Sequence, residues 1–404
     1  MTRLPSSLQP LWPLVKRVHR WTSYGNGVVM RRAAPLLGER ALPRRATATP
    51  AETAAREPES VTVHRVDQPA DGPRQIPPGT PDRHWVFEKA SHYEVPDRYA
   101  VEIKDGIVVG DYGANVTPGG TLEYETSHYF GIKRWREHPI YLRRRLPRIE
   151  KVAGTVVAMA TRGGSNNYYH FITDVLPRFG VFQEAMPGVE PDGLYVPAAA
   201  KWQQNLLDLA GLSKYPVVAT AKHRAVRADR LIVPSIPNPY EVAPRATIEW
   251  LRARLPAIDT SDKPRRIYVT RGTAPRTRRL VNEEATWPLL EERGFVRVSP
   301  ETTSIQDQID AFAAAEVIVA PHGAALTNLV FTSPGVRVLE MFAPSYVNSA
   351  YWAILQSIPD THYRYLVAGD TAPYGPGDPM NDIMADIDLT PQAVADAVDQ
   401  LLAD

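Results

Sequence analysis

The chain has 404 residues, of which 44% are hydrophobic, enough for one large or two medium cores. A formal net charge of +1 excludes a dedicated nucleic-acid binder, whose phosphate contacts demand a strong basic excess. With no cysteine, disulfides, thiol nucleophiles and cysteine metal sites are excluded too.

At the amino terminus, Leu11 to Trp21 sets Leu14, Val18 and Trp21 at helical spacing among Lys16, Arg17, His19 and Arg20. Such a stretch can lie on an anionic membrane, so weak peripheral contact at the inner face of the membrane is one expectation. A loose tail or a docked helix is the other. No continuous apolar core marks a signal peptide, and no window reaches the roughly 18–20 apolar residues of a transmembrane helix, so the expected location is cytoplasmic. Arg31 to Arg83 is rich in Pro, Ala, Arg and Thr without hydrophobic periodicity, and residues 1–84 read as a mostly disordered extension. Order is expected to resume near Trp85.

From Tyr99 to Phe130, Gly106, Gly110 and Pro118-Gly-Gly120 punctuate short apolar runs, predicting short strands joined by tight turns. A strand from Gly154 to Ala160 leads into Gly163-Gly-Ser-Asn-Asn167-Tyr-Tyr-His170-Phe-Ile-Thr-Asp174-Val-Leu-Pro177-Arg178. This is a glycine-rich loop followed by a helix that Pro177 should end. Tyr168, Phe171, Ile172, Val175 and Leu176 form its apolar arc, while Asn167, His170 and Asp174 share another face, with His170 and Asp174 one turn apart. That polar face suits a cleft wall; a surface His–Asp pair is the plainer reading. Strands near Leu194, Val217 and Leu231 and a helix over 198–209 complete a first α/β lobe over 85–240. Pro234-Ser-Ile-Pro237-Asn-Pro239 marks the connection.

The second lobe, 241–404, opens with a helix from Arg245 to Leu255. A strand over 266–270 is followed by a helix from Asn282 to Arg293, with Asn282 as N-cap and Pro288 inside it. The strand Phe295–Val298 and a helix Ser304–Ala315 follow, the latter opened by a Ser304/Asp307 near-capping box. Strands alternating with helices predict a parallel sheet, whose ligands bind outside the carboxyl ends of the strands. On that edge lies Arg271-Gly-Thr-Ala-Pro-Arg276-Thr-Arg278-Arg279, whose guanidiniums match the forked geometry of a diphosphate.

Val317-Ile-Val-Ala-Pro-His322-Gly323-Ala324-Ala-Leu-Thr-Asn328 reads as a buried strand, a tight turn and a short helix, then a strand ending near Glu340. A helix N-terminus at the carboxyl edge of a sheet offers free N–H groups and a positive dipole end to phosphate. Gly323 and Ala324 let a ligand approach the backbone, His322 adds a donor, and Glu340 is placed to accept from sugar hydroxyls. Asp386-Ile-Asp388 has a D-x-D spacing that can hold a divalent ion on a diphosphate, but it stands just before Thr390-Pro391, a helix-entry pair, and is read as part of that entry.

The blocks N-Y-Y-H-F-x-x-D-x-L-P-R and V-I-V-A-P-H-G-A-A-L-T-N-L-V-F, with V-T-R and R-R-x-V-N between them, resemble glycosyltransferase family 61 over roughly Thr155 to Phe342. That family includes bacterial capsular and exopolysaccharide enzymes, plant xylosyltransferases and animal N-acetylglucosaminyltransferases. The resemblance implies a GT-B fold, two Rossmann-like α/β lobes facing a cleft. It also implies inverting transfer from a nucleotide sugar, often UDP-linked, with no obligatory metal or other cofactor. Carried onto this chain, it places Arg271, Arg278, Arg279, His322, Gly323, Ala324, Asn328 and Glu340 on the nucleotide. Asn167, His170, Asp174 and Arg178 fall on the side of a glycan or other hydroxyl acceptor.

Inversion needs a base on the acceptor side. Asp174 is the first candidate and His170 the second, because an unperturbed carboxylate is ionised at neutral pH while a histidine is still partly protonated. Two other readings share these residues: a nucleotide-sugar epimerase-like enzyme without an acceptor, and a non-catalytic sugar-nucleotide or glycan-binding subunit.

Overall fold

The computed structural model describes residues 11–67, 74–132, 134–238, 241–272, 278–369 and 383–403. The strands, in chain order, are β1 (Arg45–Thr47), β2 (Val61–Val66), β3 (Gly79–Thr80), β4 (Arg98–Lys104), β5 (Ile107–Val109), β6 (Ala114–Val116), β7 (Thr121–Glu123) and β8 (Ile149–Ala158). Then come β9 (Gly193–Val196), β10 (Val217–Ala219), β11 (Ala225–Pro234), β12 (Arg266–Val269), β13 (Val296–Val298), β14 (Val317–Pro321), β15 (Arg337–Phe342) and β16 (His362–Val367).

Pairing divides them into two sheets. The first is mixed, in the order β1-β7-β6-β5-β11-β8-β9-β10, with β4 also on β11 and β2 beyond it. Its β11, β8, β9 and β10 run parallel, and the strands β4 to β7, of which β5, β6 and β7 pair as consecutive antiparallel neighbours, are the turn-punctuated run expected from 99 to 130. The second sheet is parallel throughout, in the order β13-β12-β14-β15-β16-β3. Its central strand β14 is buried along its whole length, as a strand covered on both faces must be.

One apolar cluster joins the two sheets. It runs from Val157, Phe171 and Ile172 beside the first sheet to Ile267, Ile318, Val338 and Trp352 beside the second. A separate cluster covers the other face of the second sheet, where Val394, Val398 and Leu401 of the helix Pro391–Ala403 pack on Val317, Val319 and Leu339. Among the described residues no helix is long and apolar enough to cross a membrane.

The expected disorder of residues 1–84 is corrected over the described part of that segment. Residues 12–32 form a helix, β1 pairs with β7, β2 pairs antiparallel with β4, and β3 adds to the second sheet beside β16. Between β1 and β2, Thr49 caps the helix Pro50–Arg56 by accepting from the Glu52 N–H, while the Glu52 carboxylate accepts from the Ala48 N–H. Glu57 then ties this segment to the β6–β7 turn through Thr117, Gly119 and Thr121. The strands and the helix Pro50–Arg56 are too short to show periodicity, and the strands' partners lie far along the chain.

Two helix expectations also change. Asn282 does not cap the helix Glu283–Glu291; its amide donates instead to Asp388 and the Leu389 carbonyl. Pro177 does not end the helix begun at Tyr168. The backbone widens into a π turn over Phe171–Val175, where Leu176 N–H bonds the Phe171 carbonyl at 3.0 Å, and Pro177 then opens the α-helix Pro177–Ala185. At a first helical position its missing N–H leaves nothing unsatisfied.

Candidate functional site

The loop after β8 and the helix that follows build the first cluster. Asn167 caps this helix, its side chain accepting from the Tyr169 N–H at 2.9 Å. One turn on, His170 Nδ1 and Asp174 Oδ2 are 2.7 Å apart, with both side chains nearly buried. The other Asp174 oxygen is 2.8 Å from the Thr173 hydroxyl and accepts from the Asn238 amide at 3.2 Å. Asp174 is thus surrounded, whereas Nε2 of His170 has no hydrogen-bond partner among the described residues. Gly163 makes room for that ring. At φ +91° a Cβ there would come within 2.5 Å of His170 Cδ2.

Burial alone would lower the His170 pKa, but the charge and hydrogen bond of Asp174 outweigh it and the net shift is upward. With Asp174 holding Nδ1–H, the neutral ring carries its lone pair on Nε2. The geometry is that of a histidine oriented by a carboxylate.

The second cluster stands at the carboxyl ends of β12, β14 and β15. His322, on the turn after β14, has Nδ1 2.5 Å from Glu340 Oε1, and Tyr363 donates to Glu340 Oε2 at 2.5 Å. Phe342 stacks on the imidazole, and Tyr346 and Tyr351 flank it. Burial pushes the His322 pKa well down and that of Glu340 well up. Both shifts favour uncharged partners, and an uncharged pair in which Glu340 donates to Nδ1 meets this geometry. Nε2 of His322 then carries a hydrogen and is a donor.

Arg271 reaches over the turn. A Cβ on Gly323 would fall 1.9 Å from its Nη1, so glycine at 323 is what allows the guanidinium to lie against the start of the 3₁₀ helix Ala324–Phe331. The Arg271 pKa is pushed down to about 10, first by burial and then by the charges of Arg278 and, more weakly, Arg279. Asp386 holds these last two in place, its Oδ1 accepting from both backbone N–H groups at 2.9 Å. Arg278 also lies over the Tyr346 ring, 5.1 Å from its centroid. Cations crowded at a helix N-terminus make a seat for an anion.

The two clusters, some 150 residues apart in sequence, touch. The Tyr168 hydroxyl donates to Asn328 Oδ1 at 2.8 Å. Tyr169 meets Tyr351 edge-on at 5.7 Å, and Tyr351 lies against His322 at 5.1 Å. The dyad and the cationic seat therefore share one region at the carboxyl edges of both sheets.

Not every expected residue is free to meet a substrate. Arg178 is fully buried and spends its guanidinium on the Pro234 and Ala160 carbonyls, which removes it from substrate contact. Asn328 is equally buried, bonded to Tyr168 and Gln308 on its two amide atoms. Glu340 has no exposed surface and both oxygens engaged, so it positions His322 and does not accept from a sugar. Asp386 is more than a helix-entry residue, since it clamps the arginine loop, whereas Thr390 does cap the terminal helix through the Ala393 N–H. Ala324 opens the 3₁₀ helix as expected. Arg276 lies outside the described residues. Among them, no group of three His, Asp or Glu side chains could hold a metal ion.

Sequence reasoning missed a rim beside the dyad. Phe130, an exposed ring, stacks on His170 at 5.5 Å, and the Arg162 guanidinium lies 3.8 Å from the Phe130 centroid and 4.1 Å from that of Tyr129. Asn238 and Glu241 close the other side. Consecutive aromatics in a turn and a lone arginine before Gly163 were the only signals, and both are common on surfaces.

Residues 168–339 match the family model described as Glycosyltransferase 61, a stretch that begins at the dyad helix and ends beside Glu340. By class the match points to a glycosyltransferase. Over those residues the chain is similar to glycosyltransferase family 61. Comparison with curated proteins gives no match.

Proposed function

We propose that the protein is an inverting glycosyltransferase that moves a sugar from a nucleotide donor, with UDP the expected nucleotide, to a hydroxyl of a glycan acceptor in polysaccharide biosynthesis. The observation that carries this is the meeting of the His170–Asp174 dyad with the arginine and His322 seat. One supplies a proton acceptor and the other stabilises a leaving diphosphate, and a single displacement needs both at once. The two sheets serve as the lobes of a GT-B arrangement, 85–240 and 241–404, with β1 and β2 added to the first.

His170 takes the acceptor proton at Nε2 as the hydroxyl oxygen forms its bond to the anomeric carbon. Asp174 orients the ring and stabilises the imidazolium, reversing the order in which the sequence ranks the two. The bond from the anomeric carbon to the diphosphate oxygen breaks on the opposite side. The released negative charge is met by Arg271, Arg278, Arg279, the His322 Nε2–H and the helix N-terminus at Ala324. These groups take the part a metal ion plays elsewhere, and the reaction is independent of one.

The test is calorimetric titration of the full chain with UDP, CDP and GDP, followed by anomeric proton NMR of the product formed from a bound donor. Nucleotide binding with inverted configuration is expected. No diphosphate binding, or retention at the anomeric carbon, would overturn the proposal.

A further inference from the structure

The amino-terminal helix Trp12–Arg32 is amphipathic in a way the fold does not use up. Its inner face is docked. Asn26 donates to the Tyr141 carbonyl and, at 2.7 Å, to that of Arg143. Gly27 lies against the Tyr141 ring, Arg31 sits 5.3 Å over Trp135, and Ser23 is fully buried. These contacts fix the helix rotation, so its opposite face is held outward.

That outer face is apolar. At 100° per residue Leu14, Val18, Trp21 and Val29 fall within one arc of about 80°. They are 55%, 54%, 77% and 56% exposed, where a helix serving only the core would turn such residues inward. The helix contains Lys16, Arg17, Arg20, Arg31 and Arg32 and no Asp or Glu. Arg17 and Arg32 are exposed along or beside the arc.

We propose that this helix is an interfacial anchor that seats the enzyme on an anionic lipid bilayer. Trp21 and the aliphatic side chains enter the headgroup and acyl boundary, and the basic residues meet lipid phosphates and carboxylates. The charge selects this occupant over a second copy of the chain, because self-pairing through the arc would set two wholly cationic helices against each other. The docked inner face lets the anchor hold the folded enzyme against the surface, without a flexible tether between them.

The test uses the full chain and sedimentation with vesicles of phosphatidylcholine alone or with about one-third phosphatidylserine. The wild type should pellet with the anionic vesicles, and the pelleted share should fall as salt rises. The triple variant Leu14→Ser, Val18→Ser, Trp21→Ser should bind at least about tenfold more weakly with an unchanged melting temperature. Arg17→Gln with Arg32→Gln should weaken only the anionic case. The proposal is overturned if the wild type stays in the supernatant with both vesicles, or if the triple variant pellets like the wild type. It is equally overturned if ultracentrifugation shows a dimer that the triple variant abolishes.

Discussion

Replacing Asp174 by Asn removes a charge while keeping the shape of a side chain whose oxygens face His170, Thr173 and Asn238. Between partners this buried, a charge-assisted hydrogen bond is worth roughly 1.5–3 kcal/mol, so orientation and imidazolium stabilisation together should cost about ten- to a hundredfold in kcat. His170→Ala deletes the proton acceptor itself and should cost about 10²–10⁴-fold. The pH profile separates the roles. Asp174 raises the His170 pKa against the lowering by burial, so the acidic limb of kcat reports a histidine that gains its proton above the ordinary range. Once the charge is gone burial dominates, joined by the charge of Arg162 and opposed by that of Glu241, and the limb should move to lower pH in Asp174→Asn even as the plateau falls. The assay is single-turnover transfer at saturating donor across pH, with donor affinity measured separately and expected to change little. If Asp174→Asn collapses further than His170→Ala and leaves the limb unmoved, the proton goes to Asp174 directly. If both variants transfer normally, the chemistry lies off this helix.

Four further outcomes concern the cationic seat. Gly323→Ala puts a Cβ where the Arg271 guanidinium lies; calorimetry should show UDP affinity falling about ten- to a hundredfold, as for Arg271→Ala, with the melting temperature nearly unchanged because φ there is an ordinary extended −178°. Asp386→Ala should weaken UDP by freeing Arg278 and Arg279, Asp386→Asn less so because it keeps an acceptor oxygen, and transfer should survive exhaustive EDTA treatment; loss on chelation restored by magnesium or manganese would count against the arginines as the source of charge. Glu340→Gln can still donate to His322 Nδ1 and accept from Tyr363, so UDP affinity within about threefold of wild type is expected; a loss as large as that for His322→Ala would mean that the imidazole is held by an ionised Glu340.

The central strands of the second sheet were legible because they are buried on both faces and read as continuous apolar runs: Val317–Pro321 and Arg337–Phe342 lie within a residue or two of their expected places. Both polar clusters were legible because each sits directly after such a strand. What could not be read is who occupies whom. Asn328, Arg178 and Glu340 are polar residues of the kind that bind ligands, but their partners are carbonyls and side chains from distant segments. Tyr351 and Tyr363 complete the His322 environment from the helix Ala350–Leu355 and from β16, elements that neither motif announces. In residues 45–66, Pro and Arg masked strands only three and six residues long, whose stability comes wholly from pairing partners.

The two histidines show how one pairing yields opposite chemistry. Each turns Nδ1 toward a carboxylate less than 3 Å away. At His170 the carboxylate is supported by Thr173 and Asn238, and its charge raises the imidazole pKa. The proton then sits on Nδ1, and Nε2 is a base. At His322 burial first, and then two neighbouring arginines, disfavour a cationic imidazole, while burial disfavours an ionised Glu340; in that uncharged pair Glu340 donates to Nδ1 and Nε2 is a donor. A displacement at an anomeric carbon needs a group that takes a proton on one side and a group that gives a hydrogen bond on the other. In the proposed mechanism burial and local charge give those two tasks to one residue type, which the sequence separated only by position, with His322 expected as a donor and His170 as the second-choice base.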